Sequence, residues 1–129
     1  MILVPISWGE LLDKITILEI KAERMADAAR LANVRHELDC LRAARDAADA
    51  AFGPEIERLM ADLKEVNEAL WEIEDGIRDR EAEKDFGARF IELARAVYHT
   101  NDRRAALKRT LNALLGSALV EEKSYKDYA

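Results

Sequence analysis

Apolar positions recur at three- and four-residue intervals along most of the chain, the spacing that gathers them on one side of an α-helix. Leu11, Ile15, Leu18, Ala22 and Met25 form the first stripe. Ser7 precedes it with Glu10 three residues on, the pattern of a capping box, in which hydroxyl and carboxylate each satisfy an open backbone N–H. Ile6 and Leu11 are placed to form a hydrophobic staple, and Pro5 supports a boundary, so residues 1–6 are expected to be a short extended arm. After Met25 the phase slips. Leu31, Val34, Leu38 and Leu41 form a second stripe, which puts a break near residues 26–29 although neither Gly nor Pro marks it. This second helix runs on into "RAARDAADAA", alanine-rich and with little to bury.

"FGPE" is a stop and a restart, with Gly53 ending one helix and Pro54 suited to the first turn of the next. Ile56, Leu59, Leu63, Val66, Leu70, Ile73 and Ile77 then keep the most regular rhythm in the chain. Asp85 reads as the next cap, before a stripe of Phe86, Phe90, Leu93 and Val97. In "YHTNDRR" the helix either breaks, with Asn101 or Asp102 as a new cap, or continues to Leu115 with Gly116 stopping it. If it continues, helices over 54–84 and 86–115 are each about 45 Å long. Equal lengths and a short link predict an antiparallel hairpin. The expected fold is therefore all-α: a single helical domain over 1–129, with two N-terminal helices beside a long hairpin and a loosely held tail over 117–129.

The first helix is apolar on two sides. At 100° per residue, Ile17 and Ile20 fall opposite the stripe from Leu11 to Met25. A rod with two apolar faces is buried twice, and because the hairpin overhangs the shorter helices, a second subunit is the expected cover, giving a homodimer.

Charge adds a pairing rule. Residues 54–85 hold 12 acids and 5 bases, a net of −7, while 86–115 hold 2 acids and 6 bases, a net of +4. The two halves of the hairpin attract, which sets register more than stability because exposed pairs contribute about 0–1 kcal/mol each. The whole chain carries −6 with a pI near 5.0, which argues against a nucleic-acid binder. One cysteine, Cys40, cannot form an internal disulfide, and "MILVPIS" is neither a signal peptide nor a membrane span, so a cytoplasmic protein with no membrane association is expected.

Candidate chemistry is sparse. Glu19 lies between Ile15 and Leu12 on the apolar arc, where a carboxylate needs a partner. Arg104 is in line with Val97, Leu107 and Leu111, so a pair between Glu19 and Arg104, with Thr100, Asn101 and Lys108 on the same face, is the sharpest site. Snorkelling of both side chains to water is the plainer reading. His36 and His99 lack the spacing of a helical metal site, so no metal is expected; no cofactor-binding motif is present either. His99 beside Asn101 and Asp102 is more simply a surface histidine than a general base. Trp71 shares a second stripe with Asn67, Glu74 and Arg78 and reads as an interface aromatic. Cys40 reads as a small hydrophobe, and Tyr125 and Tyr128 belong to the tail.

"PISWGELLDKITILEIK", "LANVRHEL", "LWEIEDGIRDREAEKDFGARFIELARAVYHTNDRRAALKR" and "NALLGSALVEEKSY" together resemble a family of short bacterial all-helical proteins of unassigned function. Segments like these also occur joined to tetratricopeptide-repeat or glycosyltransferase-like chains in surface-polysaccharide settings. The resemblance implies an accessory role in glycan assembly and brings no catalytic residues. Where relatives can carry a proline, at 27–29, this chain has none. The leading expectation is a homodimeric protein-interaction or assembly module. The alternative is a small helical enzyme or binder of an anionic metabolite, similar in architecture to a chorismate mutase, with Arg104, Glu19, Lys108 and Lys14 around the ligand.

Overall fold

Ser7 caps the first helix as the sequence predicts: its Oγ accepts from the Glu10 N–H at 3.1 Å, and α1 runs Trp8–Arg24. The Glu10 carboxylate instead faces Lys108 at 2.7 Å and Lys14 at 3.6 Å, so only the hydroxyl half of the expected capping box forms. The computed structural model describes residues 1–128, and residues 1–6 enter the cap without helix or strand. Asp27, whose carboxylate accepts from the Arg30 N–H at 2.9 Å, caps α2, Ala28–Ala47, and supplies the helix boundary that no Gly or Pro marks.

Pro54 opens α3, Pro54–Ala82, and α4 spans Ala88–Leu114. The helix therefore continues through "YHTNDRR". Asn101 and Asp102 break it only if their side chains compete for nearby backbone. Here Asn101 Oδ1 accepts from Arg104 at 3.5 Å and Asp102 accepts from Tyr128, so both side chains are engaged elsewhere. Asp85 is not the cap of α4. Gly87 is, and Asp85 Oδ1 accepts from the Gly87 N–H at 3.1 Å within a tight link where Lys84 takes φ 53°. Gly116, at φ 62°, stops α4, and the Ser117 N–H turns back to the Asn112 carbonyl at 2.9 Å in a Schellman closure.

The four helices form an all-α bundle in which α3 and α4 pair as the hairpin and α1 packs on α2, α3 and α4 together. That placement explains the two apolar sides of α1. Leu11, Leu12, Ile15 and Leu18 enter a core with Val34 and Leu38 of α2, Ile56, Leu59 and Leu63 of α3, and Leu111 of α4. Each such side chain contributes roughly 1.5–3 kcal/mol when fully buried. On the other side, Ile20 is 1% exposed within its own chain, and Ile17 is half-buried. The second subunit expected over Ile20 is therefore not needed there, because the hairpin itself supplies the cover. Apart from Leu93, the far half of the hairpin is less well covered: Ile73, Ile77, Phe90 and Val97 are half-buried, and Phe86 and Ile91 are exposed. Among the described residues no helix is long and apolar enough to cross a membrane.

Candidate functional site

The face of α1 that carries Ile17 and Ile20 also carries Gly9, Glu10, Asp13 and Thr16, since steps of three and four residues share a side. This face meets α3 and α4 in a polar knot. Gly9 makes the close approach possible: a Cβ there would lie 2.6 Å from the Lys108 carbonyl oxygen and 3.0 Å from Asn112 Oδ1. With no side chain in the way, the Gly9 N–H donates to Asn112 Oδ1 at 2.6 Å, and the Trp8 N–H donates to Ser117 Oγ at 3.2 Å. The open N–H groups of the first turn of α1 are thus satisfied by Ser7 and by the end of α4.

One turn further along, Asp13 is fully buried and Arg104 grips it with two parallel hydrogen bonds, Nε to Oδ1 at 2.9 Å and Nη2 to Oδ2. Asn67 of α3 donates to Asp13 Oδ1 at 2.9 Å and to Thr16 Oγ1 at 3.0 Å, and the Thr16 hydroxyl donates to the Asp13 carbonyl at 2.8 Å. The hydrogen bond to Asp13 holds the Arg104 guanidinium above its ordinary pKa, against the opposing pull of burial. Lys108 lies one turn beyond, 8% exposed, with its ammonium 2.7 Å from Glu10 and 2.9 Å from Glu121. Burial is the largest influence on it and would lower its pKa, but hydrogen bonds to Glu10 and Glu121 together outweigh that and raise it. Glu121 in turn is held down to about 2 by hydrogen bonds to Lys123 and Lys108. Among the described residues no buried side-chain nitrogen or oxygen lacks a partner.

Two open clefts flank Arg104. One, of about 260 Å³, has Ile17, Ile20, Leu70 and Trp71 as its apolar lining. The other, of about 200 Å³, is lined by Asn101, Arg104, Lys108, Lys123 and Tyr125. Its cations already face carboxylates of the same chain: Arg104 faces Asp13, Lys108 faces Glu10 and Glu121, and Lys123 faces Glu121 at 2.8 Å. Each cation that lines this cleft is thus paired within the chain.

The pair expected between Glu19 and Arg104 does not form. Glu19 sits on the side of α1 that α2 covers, and its partner is Arg42 of α2 at 3.3 Å. Arg104 approaches α1 from the opposite side and finds Asp13. Arg104, Lys108 and Asn101 do share one region, while Thr100 is half-buried on the same helix. Trp71 lines the cleft beside Ile17 and carries the Arg24 guanidinium 5.7 Å above its ring. No motif or spacing singles out Gly9, Asp13, Asn112 or Glu121, although Gly9 and Asp13 are a glycine and an acid in register with Ile17 and Ile20. Among the described residues no group of three or more His, Cys, Asp or Glu side chains is arranged to hold a metal ion.

Fold and knot together define a small four-helix protein locked by an ion-paired cluster, centred on the buried Asp13, between its first and last helices. The chain belongs to a family of unknown function, DUF6165, which matches residues 2–128. No curated protein and no solved structure matches it.

Proposed function

We propose that the chain is a helical assembly module that works as a homodimer in the cytoplasm, accessory to bacterial surface-polysaccharide synthesis. The observation that carries the reading is the N-terminal arm. Met1, Ile2, Leu3 and Val4 are consecutive apolar side chains, 94%, 87%, 88% and 68% exposed, on a segment whose base is pinned by the buried Ser7 cap. A contiguous exposed apolar run of this kind marks an interaction surface. Used symmetrically by two copies, eight such side chains offer roughly 12–24 kcal/mol of gross burial. Association costs about 4–15 kcal/mol in lost freedom, besides the ordering of the arm, so the gain from a second copy is of the same order as the cost it must offset. The half-covered far end of the hairpin, acidic along α3 and basic along α4, offers a complementary surface for the same purpose. The resemblance to segments joined to tetratricopeptide-repeat and glycosyltransferase-like chains points toward assembly rather than catalysis. The alternative of an anionic-metabolite site around Glu19 and Arg104 is disfavoured, because the cations there already face internal carboxylates.

The test is sedimentation of the full chain at 1 to 100 µM beside a variant with Ile2, Leu3 and Val4 changed to serine. The expected result is a dimer that the triple variant converts to a folded monomer with an unchanged helical circular-dichroism signal. A wild-type chain that sediments as a compact monomer at the highest concentration overturns the reading.

A further inference from the structure

The C-terminal segment after α4 is exposed but not free: Glu121 is held by Lys108 and Lys123, and the Tyr128 hydroxyl donates to Asp102 while lying 3.3 Å from His99 Nδ1. Pinned at these points, it forms with α4 an open cleft of about 600 Å³, lined by Val97, Tyr98, Asp102, Tyr125 and Tyr128 among others. That size suits a small organic ligand. Three tyrosines supply its aromatic surface, and they remain 42%, 74% and 53% exposed at Tyr98, Tyr125 and Tyr128.

The arrangement selects the chemistry of the ligand. Tyr98 and Tyr128, which both line the cleft, meet at 5.1 Å with their planes 66° apart, so the two rings form a corner rather than one flat platform. Corners of electron-rich rings enclose cations, whereas a sugar ring lies on a flat face. Of the charged lining residues Asp102, Lys126 and Asp127, Asp102 is the one fixed at the ring corner, where it accepts from the Tyr128 hydroxyl. The hydrogen bond to Asp102, with burial second, pushes the pKa of the Tyr128 hydroxyl up to about 12. Tyr125 shows the preference directly, with the Lys123 ammonium 5.5 Å from its ring centroid.

We propose that the cleft between α4 and the C-terminal segment binds an alkylated ammonium group, with Tyr98, Tyr125 and Tyr128 as walls and Asp102 as the counter-charge. This site does not use the N-terminal arm proposed for the dimer, and it adjoins the knot around Arg104, whose Lys108 holds the C-terminal segment through Glu121. The ammonium is either that of a free metabolite or that of an alkylated lysine on another chain, and both present the same head group.

The test is titration of the full chain with choline and with 3,3-dimethylbutanol, its uncharged isostere, followed by NMR of the tyrosine ring resonances. Choline is expected to shift the resonances of Tyr98, Tyr125 and Tyr128 saturably, with the isostere at least tenfold weaker. Asp102→Asn keeps an acceptor for Tyr128 while removing the charge, and it is expected to weaken choline about tenfold; Tyr98→Leu is expected to weaken it about fivefold. A trimethyl-lysine peptide binding tighter than choline assigns the head group to a protein, and the reverse assigns it to a metabolite. Equal binding of choline and its isostere overturns the proposal. So does a response to methyl glucoside in place of choline, or no saturable shift with any of these probes.

Discussion

Asp13 and Arg104 differ sharply in their access to water, and that difference makes an asymmetric prediction. The Asp13 side chain is 1% exposed and that of Arg104 is 28% exposed. Changing Arg104 to methionine leaves a buried carboxylate with Asn67 as its remaining side-chain donor, a loss of about 3–5 kcal/mol by the usual cost of breaking a buried pair from one side. Changing Asp13 to leucine strands a guanidinium that can turn to solvent, so the loss is that of charge-assisted hydrogen bonds, about 1.5–3 kcal/mol. The double variant removes both charges and is expected to be more stable than Arg104→Met alone, since an apolar pair of similar volume replaces a buried ion pair with little penalty. Urea unfolding followed by circular dichroism at 222 nm measures all four corners of this cycle. Against a total stability of about 5–15 kcal/mol for a domain of this kind, Arg104→Met removes a large share. If Asp13→Leu proves the costlier single change, or if the double variant loses the sum of the two, the knot is not the lock described above.

Two further outcomes follow from the same region. Gly9→Ala should raise intrinsic helix propensity by about 1 kcal/mol, yet lower the melting temperature. Its Cβ would meet the Lys108 carbonyl oxygen at 2.6 Å, and such overpacking costs about 1–3 kcal/mol together with the buried Gly9 to Asn112 hydrogen bond. The Glu121 clasp should open in acid. Its pKa is depressed in the folded chain, so its contribution is fully present above the ordinary value of 4.5 and is lost as the pH falls toward about 2. The NMR resonances of the C-terminal segment should therefore shift across that window while those of α1 hold still; loss of the folded resonances of both together would show global unfolding instead.

Where local chemistry settles an element, the sequence is decisive. Ser7 before an apolar stripe, Pro54 after Gly53, and Gly116 after Leu115 mark the helix ends because capping, ring closure and positive φ are properties of one or two residues. Periodicity supplied four helices, a hairpin and most of the core for the same reason: the spacing of apolar side chains is itself the packing face. Which helix covers which face is a different kind of fact. The second apolar side of α1 read as a call for another subunit because sequence cannot show that α3 and α4 close over Ile20.

The polar partners were set at the same level. Glu19 and Arg104 each needed an opposite charge, and both have one, but their choice depends on which side of α1 each neighbouring helix occupies. Gly9 and Asn112, 103 residues apart, meet only because one helix crossing brings the Gly9 backbone within a hydrogen bond of the Asn112 side chain and close against the Lys108 carbonyl. The sequence by itself determined the rods and the groups that could not be left unpaired. Tertiary structure alone decided their partners, because burial and electrostatic pairing depend on distance through space, and helical periodicity carries distance only along one rod.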